Sequence, residues 1–271
     1  MSLYDIDWQR PWLAPYRETG QILIRSGDWL QAANQIAQAH DLKTTSACSV
    51  VFVPQHSLPA DVPYEAHIHA TGQVPTRDNL HDFFNTLIWL HFPKIKKTLN
   101  TLHAANSLTV SAHSGVDGTI NLGARGRERD AATLFDENAA IFICSDAHLA
   151  QALRQHQWQF LLQRSPEEFF SKVSVVLFGH ALMEKLVQPY KAITAHVWIT
   201  IVEPAWFSFS DKRCWEAIDH SVAAAISTGF SSRDFAHLPV LGVPGWWPQQ
   251  SDEFYDDPFV FRSLRQTPKI S

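Results

Sequence analysis

The sequence predicts an α+β fold: a mostly helical single domain over residues 1–271, with a β-hairpin, a short mixed sheet and a long, irregular, aromatic-rich C-terminal tail. Three observations predict it. Capping residues recur in front of apolar, helix-length runs. Short β-branched runs stand between them at 49–53 and 193–202. No repeat, low-complexity tract or linker interrupts the chain, and its length suffices for a core without staples.

Residues 1–27 read as a coiled lead-in anchored by Tyr4, Trp8, Trp12 and Tyr16. A helix over 28–39 sets Leu30, Ala33 and Ile36 on one side, with Ser26 or Asp28 as its cap. Residues 49–53 read as a strand that Pro54 ends, and Pro59 and Pro63 mark a loop. Thr76-Arg77-Asp78-Asn79 supplies caps for a helix over 80–92, and Pro93 ends it and opens the next, 94–105. Residues 115–126 read as loop. The runs 131–135 and 139–144 flank Asp136-Glu137-Asn138 and read as a hairpin around that turn. Ser145 or Asp146 caps a short helix toward His156. Ser165-Pro166-Glu167-Glu168 starts a helix that continues to about Gln188, where Pro189 stops it. Residues 193–202 form a strand, and Ser210 or Asp211 opens a helix through Ala225 that closes near Gly229. The segment 238–271 has no period and packs on the domain as an extended tail.

Composition excludes several function classes. Lys and Arg number 22 against 27 Asp and Glu, a net charge of −5, which disfavours general nucleic-acid binding. The greasiest run, 173–187, is broken by His180, Glu184 and Lys185 and is too short to span a membrane. Cys48, Cys144 and Cys214 form no CxxC pair, and this odd, sparse set suits a reducing cytoplasm. The aromatic, charged N-terminus has no apolar run of the kind a signal peptide needs. The expectation is therefore a cytoplasmic protein with a small-molecule ligand.

The chemistry-bearing residues are few. On the 80–91 helix, His81 and Asn85 lie one turn apart at the rim of a broad apolar arc, with Arg77 just ahead. The 166–188 helix reads as apolar nearly all round and so as buried. On it His180 and Glu184 share a face at i and i+4, an imidazole and a carboxylate in apolar surroundings. A buried ion pair is a poor stability device, and perturbed ionisable groups cluster at functional sites. The same spacing suits two metal ligands, so a divalent metal, if present, would sit on His180, Glu184 and His196. No HExxH, P-loop, GxGxxG or GxSxG accompanies them. Gly179, beside His180, lets another backbone approach closely. In the 193–202 strand His196 shares a face with Thr194, Trp198 and Thr200, while Ala195, Val197, Ile199 and Ile201 face the core. His67 and His69 fall in a proline-flanked loop. Arg125, Arg127 and Arg129 alternate, and in an extended stretch all three point one way, a geometry that suits an anion; Arg129 is the best placed of them. Trp246 and Trp247 in the tail suit a lid or substrate groove.

Several of these stretches together resemble a bacterial domain-of-unknown-function family, the three-thousand-twenty-fifth of its series. They are Pro75 through Asn85, Arg129 through Asn138, Phe178 through Lys185, Thr194-Ala195-His196, Leu238 through Trp247 and Phe254-Tyr255-Asp256-Asp257. The resemblance covers about residues 45–262. It departs from the family pattern at Ala139, where Gly is usual, and at Gln250, where Asn is usual. It implies a one-domain bacterial cytoplasmic protein without supplying a reaction, and it groups His81, Asn85, His180, Glu184 and His196 as one set.

Two functions fit. One is an acid/base or metal-assisted hydrolase on a small polar or anionic substrate, with His180 as base or ligand, Glu184 orienting it, His81 and His196 assisting, Asn85 on a carbonyl and Arg77 or Arg129 on an anionic group. The other is a non-catalytic ligand- or peptide-binding protein with a Trp-rich groove. Convergence of the polar side chains in one cleft discriminates between them.

Overall fold

A computed structural model describes residues 2–112, 122–208 and 212–264 of the chain. The fold is α+β, as expected. Two short 3₁₀ turns lead into α1 (Arg17–Arg25) and α2 (Trp29–Ala39), and the Asp28 carboxylate caps α2 by accepting from Gln31 N. The lead-in is thus helical rather than coiled: Trp12, Leu13 and Tyr16 are buried, so tertiary packing supplies what its propensity lacks. β1 (Val51–Pro54) pairs in parallel with β2 (Gln73–Thr76). Between them α3 (Tyr64–Thr71) carries His67 and His69, in place of the expected loop; Pro63 sits at its N-cap, where a missing N–H is harmless.

α4 (Leu80–His91) follows, capped by Asn79, whose side chain accepts from Asp82 N. Pro93 opens α5 (Pro93–Ala112), which runs a turn or more beyond the expected end. The expected loop over 115–126 lies partly outside the described residues. From Leu122 on the chain is α6 (Leu122–Asn138), which feeds directly into β3 (Ala139–Cys144). There is no hairpin. Ala131, Ala132 and Phe135 are buried at helical spacing, and Ala and Leu favour helix over strand. In a helix, residues two apart point about 160° away from each other. Arg127 and Arg129 therefore do not point one way, and the side chain of Arg125 lies outside the described residues.

α7 (Ala147–Arg154), α8 (Trp158–Leu162) and α9 (Pro166–Phe170) come next, the first and last capped by Asp146 and Ser165. The predicted long helix to Gln188 breaks into three pieces: α9, β4 (Val173–Leu177) and α10 (His180–Lys185). The β-branched run Val173-Ser174-Val175-Val176 pairs antiparallel with β3, and that cross-strand burial overrides the helix start upstream. β5 (Thr194–Ile201), α11 (Lys212–Ser227), β6 (Ala236–Pro239) and α12 (Asp252–Tyr255) complete the chain. Residues 210 and 211, the expected caps of α11, lie outside the described residues. The tail is largely irregular, as expected; Leu238 and Pro239 end β6, and α12 is its one short α-helix among the described residues.

The main sheet has the order β4-β3-β5-β6, with β3 and β5 parallel and both outer pairs antiparallel. β3 lies between two partners and every one of its residues is buried, which explains its unbroken apolar sequence. One contiguous core runs from Ile6 to Phe261. None of the three cysteines is in a disulfide, and no helix of the described residues is long and apolar enough to cross a membrane.

Candidate metal centre

Three chain segments meet where α6 becomes β3. The first is the α6 C-terminus. The second is the β4–α10 corner, which comes close because Gly179 has no side chain: a Cβ there would stand 2.5 Å from Glu137 O, Asn138 N and Ala139 N. Phe178 N and Gly179 N both donate to Ala139 O. The third is the first turn of α4, which packs on α10.

This junction brings two imidazoles together. His180, the first residue of α10, is buried, and its Nε2 lies 3.0 Å from Nε2 of His81 in an edge-to-face pair. Glu137 Oε2 stands 3.5 Å from His180 Nε2. One ligand atom from each of His81, Glu137 and His180 lies within 4.8 Å of the others, near enough for the three to be candidate ligands of one metal ion. Behind His81, Nδ1 donates to Glu184 Oε2 at 3.1 Å, which fixes the tautomer and leaves Nε2 as a lone pair.

The surroundings set the charges. Lys96 Nζ is buried and donates to Asp136 Oδ1 at 2.5 Å. Burial alone would raise the Asp136 carboxyl, but the Lys96 ammonium and then His180 outweigh it and hold it at about 2. Burial pushes His180 down; Asp136 pulls against it while Lys96 and His81 add to it, and the imidazole settles at about 4. At neutral pH it is therefore an uncharged ring, the form that ligates metals. Burial and the adjacent Asp136 raise Glu137.

A cavity of about 220 Å³ opens onto this group, walled also by Tyr64, Arg77 and Asn85. Glu65, Asp82, Asp136 and Glu137 line it against the single guanidinium of Arg77, so it attracts cations. Asn85 Nδ2 donates to the Tyr64 hydroxyl, its Oδ1 is buried with no partner, and burial holds the Tyr64 hydroxyl well above its ordinary range.

The structure thus brings His81, Asn85, His180 and Arg77 to one cavity and puts Glu184 behind His81. Glu184 is half-exposed and reaches His81 on α4, not its helix-mate His180 as the i, i+4 spacing implied. His196 lines another cavity than His180, and Glu184 reaches His81, so the expected set His180, Glu184 and His196 is not brought together; the residues whose possible ligand atoms lie near one another are His81, Glu137 and His180. Glu137 was missed because the expected hairpin made it a turn residue. The available signal was Glu137 following Phe135-Asp136 on a helical period. Arg129 is exposed on α6 beside Asp130. Trp246 is buried against Trp12, and Trp247 lines a separate cavity with Arg164 and Tyr255, so the two form no common groove with the histidines.

No curated protein and no solved structure matches the chain. A family profile, described as protein of unknown function (DUF3025), matches residues 50–265, a span that contains every member of the histidine cavity. The chain belongs to that family.

Proposed function

We propose that His81, Glu137 and His180 hold a divalent cation and that the protein is a metal-assisted hydrolase acting in the cytoplasm on a small polar or anionic substrate. The observation that carries this reading is the closeness of both Nε2 atoms and the Glu137 carboxylate on the wall of one carboxylate-lined cavity. Two nitrogens each ~2.1 Å from one ion stand ~3.0–3.4 Å apart at octahedral or tetrahedral angles. The 3.0 Å between the two Nε2 atoms lies in that range. The hydrogen bonding supports it further. With His81 Nε2 bare, His180 Nε2 must donate to it, which leaves the buried Nδ1 of His180 bare, without a hydrogen-bond partner and facing the Asp136 carbonyl. A cation on Nε2 moves that proton to Nδ1, where it points at a carbonyl.

His81, Glu137 and His180 would hold the cation with a coordination position to spare, and the cation would supply activation of water at neutral pH. Glu184 keeps His81 oriented as a ligand. Arg77 suits the anionic part of a substrate, and the Asn85–Tyr64 pair suits a carbonyl or a developing oxyanion. Three cysteines outside any disulfide fit a reducing compartment.

The test is metal analysis of protein purified without chelators, followed by calorimetric titration of the stripped protein with zinc, manganese and ferrous ions. One ion should bind per chain. His81→Ala, Glu137→Gln and His180→Ala should each abolish tight binding, Glu184→Gln should weaken it by about 10–100-fold, and His196→Ala should leave it unchanged. Absence of stoichiometric binding by any of these ions overturns the metal site. Ferrous binding accompanied by oxygen consumption overturns the hydrolase assignment, because two histidines and one carboxylate also suit oxygen chemistry.

A further inference from the structure

His196 opens a second site. It lines a cavity of about 780 Å³ between β5, β6, the end of α7 and the segment 259–264, large enough for a small organic ligand. Arg154, Arg233 and Arg262 and the imidazoles of His156, His196 and His237 line it, and among the described residues no carboxylate does. In a chain with net charge −5 this is a concentration of positive groups against the average.

The neighbouring acids are already engaged. Asp234, next to Arg233, accepts from Ser231 N and Oγ in a capping box. Asp257, near the 259–264 segment, accepts from Lys191 Nζ at 2.9 Å. Among the described residues none of the three arginines has a carboxylate partner, and all three are exposed. Guanidinium forks gathered without counter-charge are built for an anion.

Of the imidazoles, His196 is held as a donor. Asn138 Nδ2 donates to His196 Nδ1 at 3.2 Å and also faces Thr194 O, so the neutral ring carries its proton on Nε2. His237 is its cross-strand partner, ring centroids 5.0 Å apart. His156 sits in the left-handed region, φ 55°, at a helix end where glycine is the usual occupant. Its ring stacks on Trp158, and its Nδ1 donates to Arg262 O at 2.9 Å; Trp158 Nε1 donates to the same carbonyl. That contact anchors the segment bearing Arg262 to the cavity wall. The same segment presents Phe259, 80% exposed, as a flat apolar face beside the arginines.

We infer that this cavity binds a small phosphorylated molecule carrying a flat aromatic group, of the nucleoside phosphate class, with the phosphates on Arg154, Arg233 and His196 and the ring against Phe259. The site is separate from the histidine–glutamate cavity and does not rest on the hydrolase reading.

The test is calorimetric titration of the full chain, in chelator so that no bound cation recruits phosphates elsewhere, with ADP, pyrophosphate and adenosine. ADP should bind more tightly than pyrophosphate, and adenosine should not bind measurably. The double variant Arg154→Ala/Arg233→Ala should bind ADP at least about tenfold more weakly, with its circular dichroism and melting unchanged since both side chains are exposed. Phe259→Ala should bring ADP down to the affinity of pyrophosphate, and His81→Ala/His180→Ala should bind ADP as the parent does. No ADP binding at millimolar concentration, or unchanged binding by the double arginine variant, overturns the site. Pyrophosphate binding as tight as ADP overturns its aromatic half.

Discussion

Asp136, Glu137 and Asn138 leave the last turn of α6 with about 100° between successive side chains, and each meets a different chemistry. Asp136 turns inward to Lys96, Glu137 faces His180 and Asn138 donates to His196. The Asp136–Lys96 pair is the most buried ion pair among the described residues. Two desolvated charges stabilise little as a pair, but either one alone is costly. Asp136→Asn should therefore destabilise the fold by about 3–5 kcal/mol in urea unfolding. The joint variant Asp136→Leu/Lys96→Met should recover most of that loss. Equal stability of the single variant and the parent would show that the ammonium finds another partner.

Between elements, close approach and cross-strand pairing carry the site. Gly179 lets the β4–α10 corner touch the α6–β3 junction, and with it sets the distance from His180 to Glu137. Gly179→Ala forces backbone atoms apart. It should cost roughly 1–3 kcal/mol, the usual range for overpacking, and should weaken metal binding although no ligand is changed. Metal affinity equal to the parent's would show that the corner can shift without moving His180. The β5–β6 pair has its own pH signature. Burial and then His237 push His196 down to about 4, whereas an unfolded imidazole titrates near ~6.5. The unfolded chain therefore takes up its proton first as the pH falls. Stability from this group is complete above about 6.5. It is lost progressively toward pH 4. Melting followed from pH 7 to 4.5 should show a steeper fall for the parent than for His196→Gln, and parallel curves would contradict the assignment.

Across the whole molecule one core spans nearly every element, and no covalent cross-link contributes. Cys144 lies in the central strand, where burial pushes its thiol up to about 11, so it should react only once the chain unfolds. Thiol titration in denaturant without reductant should find three groups, and the native protein fewer. Finding one group in denaturant would reveal a disulfide.

The sequence by itself determined the features that depend on neighbours along the chain. The α+β class, the cap at Ser165, the proline corner at Pro93 and the β5 strand all follow from local chemistry, which also narrowed the other caps to Ser26 or Asp28, the 76–79 run and Ser145 or Asp146, where the structure uses Asp28, Asn79 and Asp146. So did His81 and His180 as residues of interest, and Gly179 as a place of close approach. Tertiary structure alone decided the rest. Whether Val173–Leu177 is helix or strand depends on β3, a partner some thirty residues upstream. Whether Glu137 sits in a turn or beside His180 depends on α6 ending against α10. Glu184 and His196 kept their side chains but changed partners, because a helical or strand period says which residues share a face and nothing about what that face meets.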